Sequence, residues 1–301
     1  MKISRIRIFR ADLPMIEGSY SWSTQSHAGF DTTVVLVDTD EGLTGVGECC
    51  PLGPTYLPAY AHGVRAGIAQ LGPHLIDEDP TQLDRINSLM DAQLKGHPYV
   101  KSAIDMACWD ILGKVTGLPV YVLLGGKLQE KVTLYKVVSR ADPNAMAERI
   151  PEYRNQGFRQ FQVKVGEDPS TDIIRIHRVA EEMKAGEVLN ADANTGWKQH
   201  EALQVAHAIA DIGRQTGIRL TFEQPCLSYH ECLAVRQHTN LPFVLDECMD
   251  SISALLQAQH DHAMDMINLK ISRFGGITRA RQVRDLCVSL GLPMNVEDSW
   301  G

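Results

Sequence analysis

From Lys131 onward, short β-branched runs alternate with amphipathic stretches of helical period, and this alternation constrains the fold more than any other feature of the chain. The runs are Val132 to Val138, Phe161 to Val165, Val188 to Asp192, Leu220 to Glu223, Phe243 to Asp246, Met266 to Lys270 and Pro293 to Glu297. Residues at the ends of five of them, Lys164, Asp192, Glu223, Asp246 and Lys270, fall 28, 31, 23 and 24 positions apart, near the ~30 residues of one βα unit. A helix after each strand returns the chain to the same end of the sheet, so the strands are expected to be parallel, and seven of them favour a (β/α) barrel over an open doubly wound sheet. A doubly wound sheet would carry a glycine-rich phosphate turn after its first strand. Ser139-Arg140-Ala141-Asp142-Pro143 stands there instead, and the sequence holds neither GxGxxG nor GxxxxGK[ST], so nucleotide binding is not expected. A barrel needs an eighth strand, and the chain stops at Gly301 just past the seventh; the C-terminal part of the barrel is therefore expected to be missing.

The N-terminal stretch reads differently. Ile3 to Phe9, Thr32 to Val37 and Leu43 to Gly47 read as strands, the last two joined through Asp38-Thr39-Asp40-Glu41-Gly42, which predicts a meander. Helical spacing follows at Ala59 to Leu71, at Gln82 to Leu94 and, after His97-Pro98, at Val100, Ile104, Ala107, Ile111, Leu112 and Val115; Pro98 suits the start, Gly117 and Pro119 the stop. The expected organisation is an N-terminal α+β domain over 1–125 and a barrel domain over 126–301, truncated after its seventh strand.

Charge narrows the partners. Against 37 Asp+Glu stand 29 Lys+Arg, a formal charge of −8 without a basic cluster, so neither nucleic acid nor an anionic membrane is an expected partner. Met1 to Arg10 alternates charge and hydrophobe and reads as a strand rather than a signal peptide or span. Seven cysteines without a CxxC pair are expected to be reduced, mostly buried thiols of a cytoplasmic protein, and no HxxxH or HExxH cluster supports zinc.

In a barrel, side chains at strand C-termini face the active-site mouth, with period two deciding which point inward. Gln162 and Lys164, Asp192 and Asn194, Glu223, Asp246 and Glu247, and Asn268 and Lys270 occupy such ends on five consecutive strands. Three carboxylates converging on one mouth repel one another unless a cation neutralises them, and an all-oxygen set prefers a hard ion such as Mg²⁺. Asp192, Glu223 and Asp246 are the expected metal ligands. Glu247 competes with Asp246 for the fifth-strand role, and spacing alone does not separate them; Asn194 shares the parity of Asp192 and suits a water-mediated or supporting contact. A divalent cation and partial burial lower a lysine pKa toward the range useful for a base, which makes Lys164 and Lys270 candidate acid–base groups on two faces of one substrate.

These residues, together with Ala103-Ile104-Asp105-Met106-Ala107-Cys108-Trp109-Asp110-Ile111-Leu112-Gly113-Lys114, Asp192-Ala193-Asn194, Glu223-Gln224-Pro225 and Asp246-Glu247, resemble the enolase superfamily, specifically its mandelate racemase and muconate lactonizing branch, over essentially the whole length. The resemblance implies a modified TIM barrel, (β/α)₇β, with an N-terminal α+β capping domain, essential Mg²⁺, and removal of the proton α to a substrate carboxylate through an enediolate, a lysine-plus-Mg²⁺ strategy general to that superfamily. A lysine on the sixth strand resembles the muconate lactonizing subgroup, but the subgroup's Lys-x-Lys reads Gln162-Val163-Lys164, and Gln162 supplies no charge to tune its neighbour.

Gly47 to Pro58, carrying Tyr56, and Glu297-Asp298-Ser299-Trp300-Gly301 are similar to members acting on proline derivatives, notably cis-3-hydroxy-L-proline dehydratases and hydroxyproline betaine 2-epimerases. For a cationic ring nitrogen, Tyr56 or Trp300 would offer a π face and Asp298 a counter-charge. The stretch from Pro14 to Phe30, with Tyr20 and Trp22, is expected as a mobile lid. The leading expectation is a dehydratase in which one lysine takes the Cα proton of cis-3-hydroxy-L-proline and protonates the departing hydroxyl. A 2-epimerase of proline betaines, a muconate-type cycloisomerase and a catalytically dead carboxylate-binding module are the alternatives. A small-molecule carboxylate is the expected partner, and assembly into a homo-oligomer is expected.

Overall fold

The structure, a computed structural model, describes residues 1–16 and 18–300; Glu17, inside the expected lid, and Gly301, the last residue of the Glu297 motif, lie outside the described residues. In chain order, β1 (Ile3–Pro14) is followed by the short pair β2 (Tyr20–Trp22) and β3 (Gln25–His27), then β4 (Gly29–Thr39) and β5 (Thr44–Cys49). Four helices come next: α1 (Ala61–Leu75), α2 (Leu83–Gln93), α3 (Pro98–Thr116) and α4 (Val120–Leu123). Strand–helix alternation then runs through β6 (Lys136–Val138), α5 (Pro143–Asn155), β7 (Gln160–Lys164), α6 (Pro169–Glu182), β8 (Val188–Asp192), α7 (Gln199–Ile209) and α8 (Ile212–Thr216). It continues with β9 (Arg219–Glu223), α9 (Tyr229–Arg236), β10 (Phe243–Leu245), α10 (Ile252–His260), β11 (Met266–Lys270), α11 (Ile271–Phe274), α12 (Ile277–Leu290) and β12 (Met294–Glu297). Two compact units share the chain: Met1–Pro14, Gly29–Glu130 and Leu269–Gly301 form the first, and Met15–Ala28 with Lys131–Asn268 the second.

In the first unit the predicted meander is present as an antiparallel sheet of order β1-β4-β5. Inward positions of β4, among them Val35 and Val37, join Ile68, Leu71, Ile104 and Ala107 in one apolar core. Helix α3 lies so close to β5 that a Cβ on Gly47 would stand 1.9 Å from the Ala103 carbonyl oxygen, and one on Gly45 2.1 Å from that of Ala107. Backbone contact at that distance admits only glycine. Asp105 of α3, fully buried, accepts from the Thr278 N–H (3.0 Å) and hydroxyl (2.6 Å) at the start of α12 and from Asn87 (2.7 Å).

The seven-stranded sheet has the order β12-β11-β10-β9-β8-β7-β6, and its pairings from β6 to β11 are parallel. The expected runs become strands almost residue for residue. The exception is Val132 to Val138, of which only Lys136–Val138 is strand, because β7 pairs with it over three residues alone; Val132 and Leu134 stay exposed. The expectation of a missing C-terminal part of the barrel is not supported: the architecture is an α/β fold with this seven-stranded sheet and separate antiparallel N-terminal sheets.

Within the second unit, β2 and β3 form a hairpin inside the stretch expected as a lid. Trp22 pairs with Gln25 across a two-residue turn in which Ser23 has φ 40°, the left-handed geometry such turns require. The hairpin is fixed to the end of β7: the Ser23 N–H donates to the Val165 carbonyl (3.1 Å) and its hydroxyl to that of Gly166 (3.0 Å). All seven cysteines are free and six are buried. Among the described residues no helix is long and apolar enough to cross a membrane.

Candidate active site

Register brings the polar strand ends of the second unit into rows. Gln162 pairs with Asn190 and Asn190 with Thr221; two residues on, Lys164 pairs with Asp192 and Asp192 with Glu223. Partners in a parallel ladder point to the same face. Glu223 is level with Val244, and Val244 with Met266, so Asp246 and Asn268, each two positions further along, share that parity. The intervening residues, including Val163, Ala191 and Phe222, are buried in the apolar layer.

Asp192 is fully buried and accepts from Lys164 Nζ at 2.5 Å and from the Asn194 N–H at 2.9 Å. Burial pulls the Lys164 pKa down, but the charges of Asp192, Tyr20 and Glu223 and the Asp192 hydrogen bond outweigh it and hold the amine well above its ordinary value. The Tyr20 ring of the hairpin lies 5.9 Å from the same Nζ. Glu223, also fully buried, is surrounded by amide donors: Asn268 Nδ2 at 2.6 Å, Gln162 Nε2 at 3.3 Å from each oxygen, and Asn190 Nδ2, which the Thr221 hydroxyl orients at 2.7 Å. Gln162 therefore donates to Glu223 where a lysine would have brought charge.

Gln224, with φ 32° and no exposure, ties β9 to β10. Its Oε1 accepts from the Asp246 N–H at 2.8 Å and its Nε2 donates to the Cys226 carbonyl at 3.0 Å. Asn194 and Thr195 likewise adopt positive φ just after Asp192, and non-glycine residues held there cluster at functional sites. Asn194 Nδ2 donates to Glu247 Oε1 at 3.0 Å, and Asn194 Oδ1 is buried with no hydrogen-bond partner among the described residues.

The first unit carries the other candidates. Lys270, the last residue of β11, donates to the Tyr56 phenol at 3.0 Å and lies 3.4 Å from Glu297. Asp298 binds the turn after Lys270, accepting from the Ser272 hydroxyl (2.8 Å) and N–H (3.3 Å) and from the Ser299 N–H (2.7 Å). Burial raises the Asp298 pKa against those hydrogen bonds and the charge of Lys270. Trp300 packs on Phe30, ring centres 5.1 Å apart. Asp298 and Trp300, expected as substrate contacts, thus have partners within the protein.

Among the described residues no three His, Cys, Asp or Glu side chains are grouped so as to hold a metal ion; in this arrangement Asp192 and Glu223 face ammonium and amide donors. The donor set nevertheless fits Mg²⁺. Asp192, Glu223, Asp246 and Glu247 are buried at adjoining strand ends, Asp192 paired with Lys164, as a set of hard anionic oxygens, and the orphaned Asn194 Oδ1 adds a neutral one. The residues overlooked in the sequence are Asn190, Gln224, Asn268 as a Glu223 donor, and Arg273. Asn190 and Asn268 had a usable signal, the parity of Asp192 and Lys270 two positions on; Gln224 and Arg273 had none.

A parallel sheet of βα units with lysine, aspartate and glutamate at successive strand ends is the framework of an α/β enzyme. Residues 8–125 match the N-terminal domain of the mandelate racemase / muconate lactonizing enzyme family, and residues 145–300 match its enolase C-terminal domain-like counterpart, so the chain belongs to the mandelate racemase/muconate lactonizing branch of the enolase superfamily. It is 51% identical to cis-3-hydroxy-L-proline dehydratase of Roseibium aggregatum, over 100% of this chain and 81% of that protein. The crystal structure of a mandelate racemase/muconate lactonizing enzyme from Roseovarius nubinhibens ISM superposes with a TM-score of 0.94 at 40% identity, covering 100% of this chain and 79% of that one. Another from the same organism, complexed with magnesium, gives a TM-score of 0.93 at 35% identity, with 100% and 81% covered.

Proposed function

We propose that the protein is a Mg²⁺-dependent dehydratase of cis-3-hydroxy-L-proline. The observation that carries the reading is the 51% identity, over the whole chain, to a dehydratase of that substrate. Lys164 and Lys270 are the acid–base groups, Lys164 taking the proton α to the carboxylate. Asp192, Glu223 and Asp246 would hold the metal, with Asn194 and Glu247 supporting them. Mg²⁺ bound there supplies positive charge to the substrate carboxylate as the α-proton leaves. Gln162, Asn190 and Asn268 orient Glu223 and keep its oxygens from turning. Burial of Lys164 and Lys270, 5% and 6% exposed, keeps bulk water from competing with the substrate for the two amines. The (β/α)₇β barrel, a cytoplasmic setting and a small carboxylate as ligand are parts of the same reading.

An amine stands at both lysine positions, and this favours a second reading, the 2-epimerase of a proline betaine, where one amine removes and the other returns a proton. Incubation in D₂O with a panel of proline derivatives, followed by NMR, separates the two. Water loss from cis-3-hydroxy-L-proline is expected in wild type and should disappear in Lys164→Ala and Lys270→Ala. Exchange and inversion without water loss would replace the dehydratase reading with the epimerase. EDTA is expected to abolish turnover and Mg²⁺ to restore it; full activity after chelation would exclude the metal set.

A further inference from the structure

The hairpin of β2 and β3 is fastened to the ends of β6 and β7 by the backbone groups of alternate residues. The Ser21 N–H donates to the Ser139 hydroxyl (2.8 Å) and its carbonyl accepts from the Arg140 N–H (2.9 Å), just past β6. Ser23, 8% exposed, donates through its N–H to the Val165 carbonyl (3.1 Å) and through its hydroxyl to that of Gly166 (3.0 Å), just past Lys164. The loop after β8 closes on the same spot. A Cβ on Gly196 would stand 2.6 Å from the Ser23 hydroxyl oxygen and 2.1 Å from the Gly166 carbonyl oxygen, so only glycine fits there.

Tyr20 and Trp22 share one face of β2. Trp22, 2% exposed, packs against the Tyr20 ring at 5.0 Å and stacks on His27 at 4.8 Å with the planes 11° apart, so Tyr20 is backed by packed rings. Lys164 Nζ lies over the Tyr20 ring, 5.9 Å from its centre. The amine therefore has two neighbours of different kind. One is the Asp192 carboxylate at 2.5 Å; the other is a ring whose negative face attracts a cation without accepting from any of its N–H groups.

A lysine amine ends a long flexible stem, and a reacting group misplaced by about 1 Å loses much of its rate. An aspartate that also serves a metal gives the amine only part of its charge, whereas a ring fastened through its backbone stays in place. Resting on the dehydratase reading, in which Lys164 is the base, we propose that Tyr20 is a positioning residue for Lys164 and that Ser23 sets Tyr20 there. The hairpin in the stretch expected as a mobile lid is then a fixed part of the site, acting on the base.

Loss of deuterium from Cα-labelled cis-3-hydroxy-L-proline reports on Lys164 directly. At saturating substrate, Tyr20→Leu should slow it about 5- to 30-fold, the equivalent of a desolvated cation–ring contact, while the Mg²⁺ concentration at half-saturation stays unchanged. Tyr20→Phe keeps the ring and should stay within about threefold of wild type. Ser23→Ala should slow the step about two- to tenfold, the equivalent of one hydrogen bond. Combined with Tyr20→Leu it should add nothing, because Ser23 acts through the ring. Amide hydrogen exchange at Ser21 and Ser23 should remain as slow in both Tyr20 variants as in wild type. Deuterium loss by Tyr20→Leu at the wild-type rate would overturn the proposal. So would an equal fall in Tyr20→Phe, which would assign the effect to the hydroxyl, or a fall accompanied by opened hairpin amides, which would make Tyr20 structural only. Wild type that loses the label yet releases no water would overturn the dehydratase reading, and the same comparison of variants would still decide the role of Tyr20. Lys164→Ala losing the label at the wild-type rate would overturn both.

Discussion

Replacing Gln224 by alanine isolates the device that holds the end of β10. The side chain makes two well-formed hydrogen bonds to buried backbone groups, from the Asp246 N–H at 2.8 Å and to the Cys226 carbonyl at 3.0 Å. Alanine leaves both groups unpaired where water does not reach, at about 1–3 kcal/mol each, so the loss should total about 2–6 kcal/mol. For a body of this size that lowers the melting temperature by about 2–4 °C per kcal/mol. The functional consequence follows from the same bonds. Asp246 is the proposed ligand on this strand, and supporting partners of that kind are worth about 10- to 100-fold in metal affinity. Turnover titrated with Mg²⁺ should therefore saturate at a concentration higher by that factor, while the rate at saturation changes less. Gln224→Leu fills the space but cannot bond, and should lose nearly as much as alanine. A Gln224→Ala protein that melts within ~1 °C of wild type and saturates at the same Mg²⁺ concentration would show that Gln224 does not hold Asp246 in place.

Two further outcomes test the packing and electrostatics of the site. Because the folded protein holds the Lys164 pKa above its ordinary value, the stability it contributes without metal is fully present below the unfolded lysine value of ~10.4. That contribution is lost as pH rises through the higher folded value. Melts in EDTA across this alkaline range should steepen in wild type and flatten in Lys164→Met; identical slopes would count against the pairing with Asp192. Gly166 has φ 97°, and a Cβ there would stand 2.1 Å from the Ala193 carbonyl oxygen, whereas Gly186, at φ 87°, has nothing within 4 Å. Gly186→Ala should cost about 1–2 kcal/mol from backbone conformation alone, and Gly166→Ala about 1–3 kcal/mol more from the clash, read as the difference in urea midpoints; equal costs would mean the two loops separate easily.

What could be read from the sequence is whatever repeats locally. Strand and helix periods depend on neighbours a few residues apart, so β7 to β12 fall where the β-branched runs predict them. Period two likewise singles out Lys164, Asp192 and Glu223, because parity along a strand is a local property that the parallel register then carries across the sheet. Residues 132–135 show the limit: their β-branched composition is that of a strand, yet a strand also needs a partner, and β7 pairs only with Lys136–Val138. Tertiary structure alone decided which groups meet across long separations in sequence. It assigned Asn268 and Gln162 to Glu223, turned Asp298 toward Ser272, docked the Tyr20 hairpin on Val165 and Gly166, and set Arg273 beside Tyr56, 217 residues away. Hydrogen-bond partners of this kind have no period, since they are chosen by the closing of loops whose lengths carry no record of what they bring together.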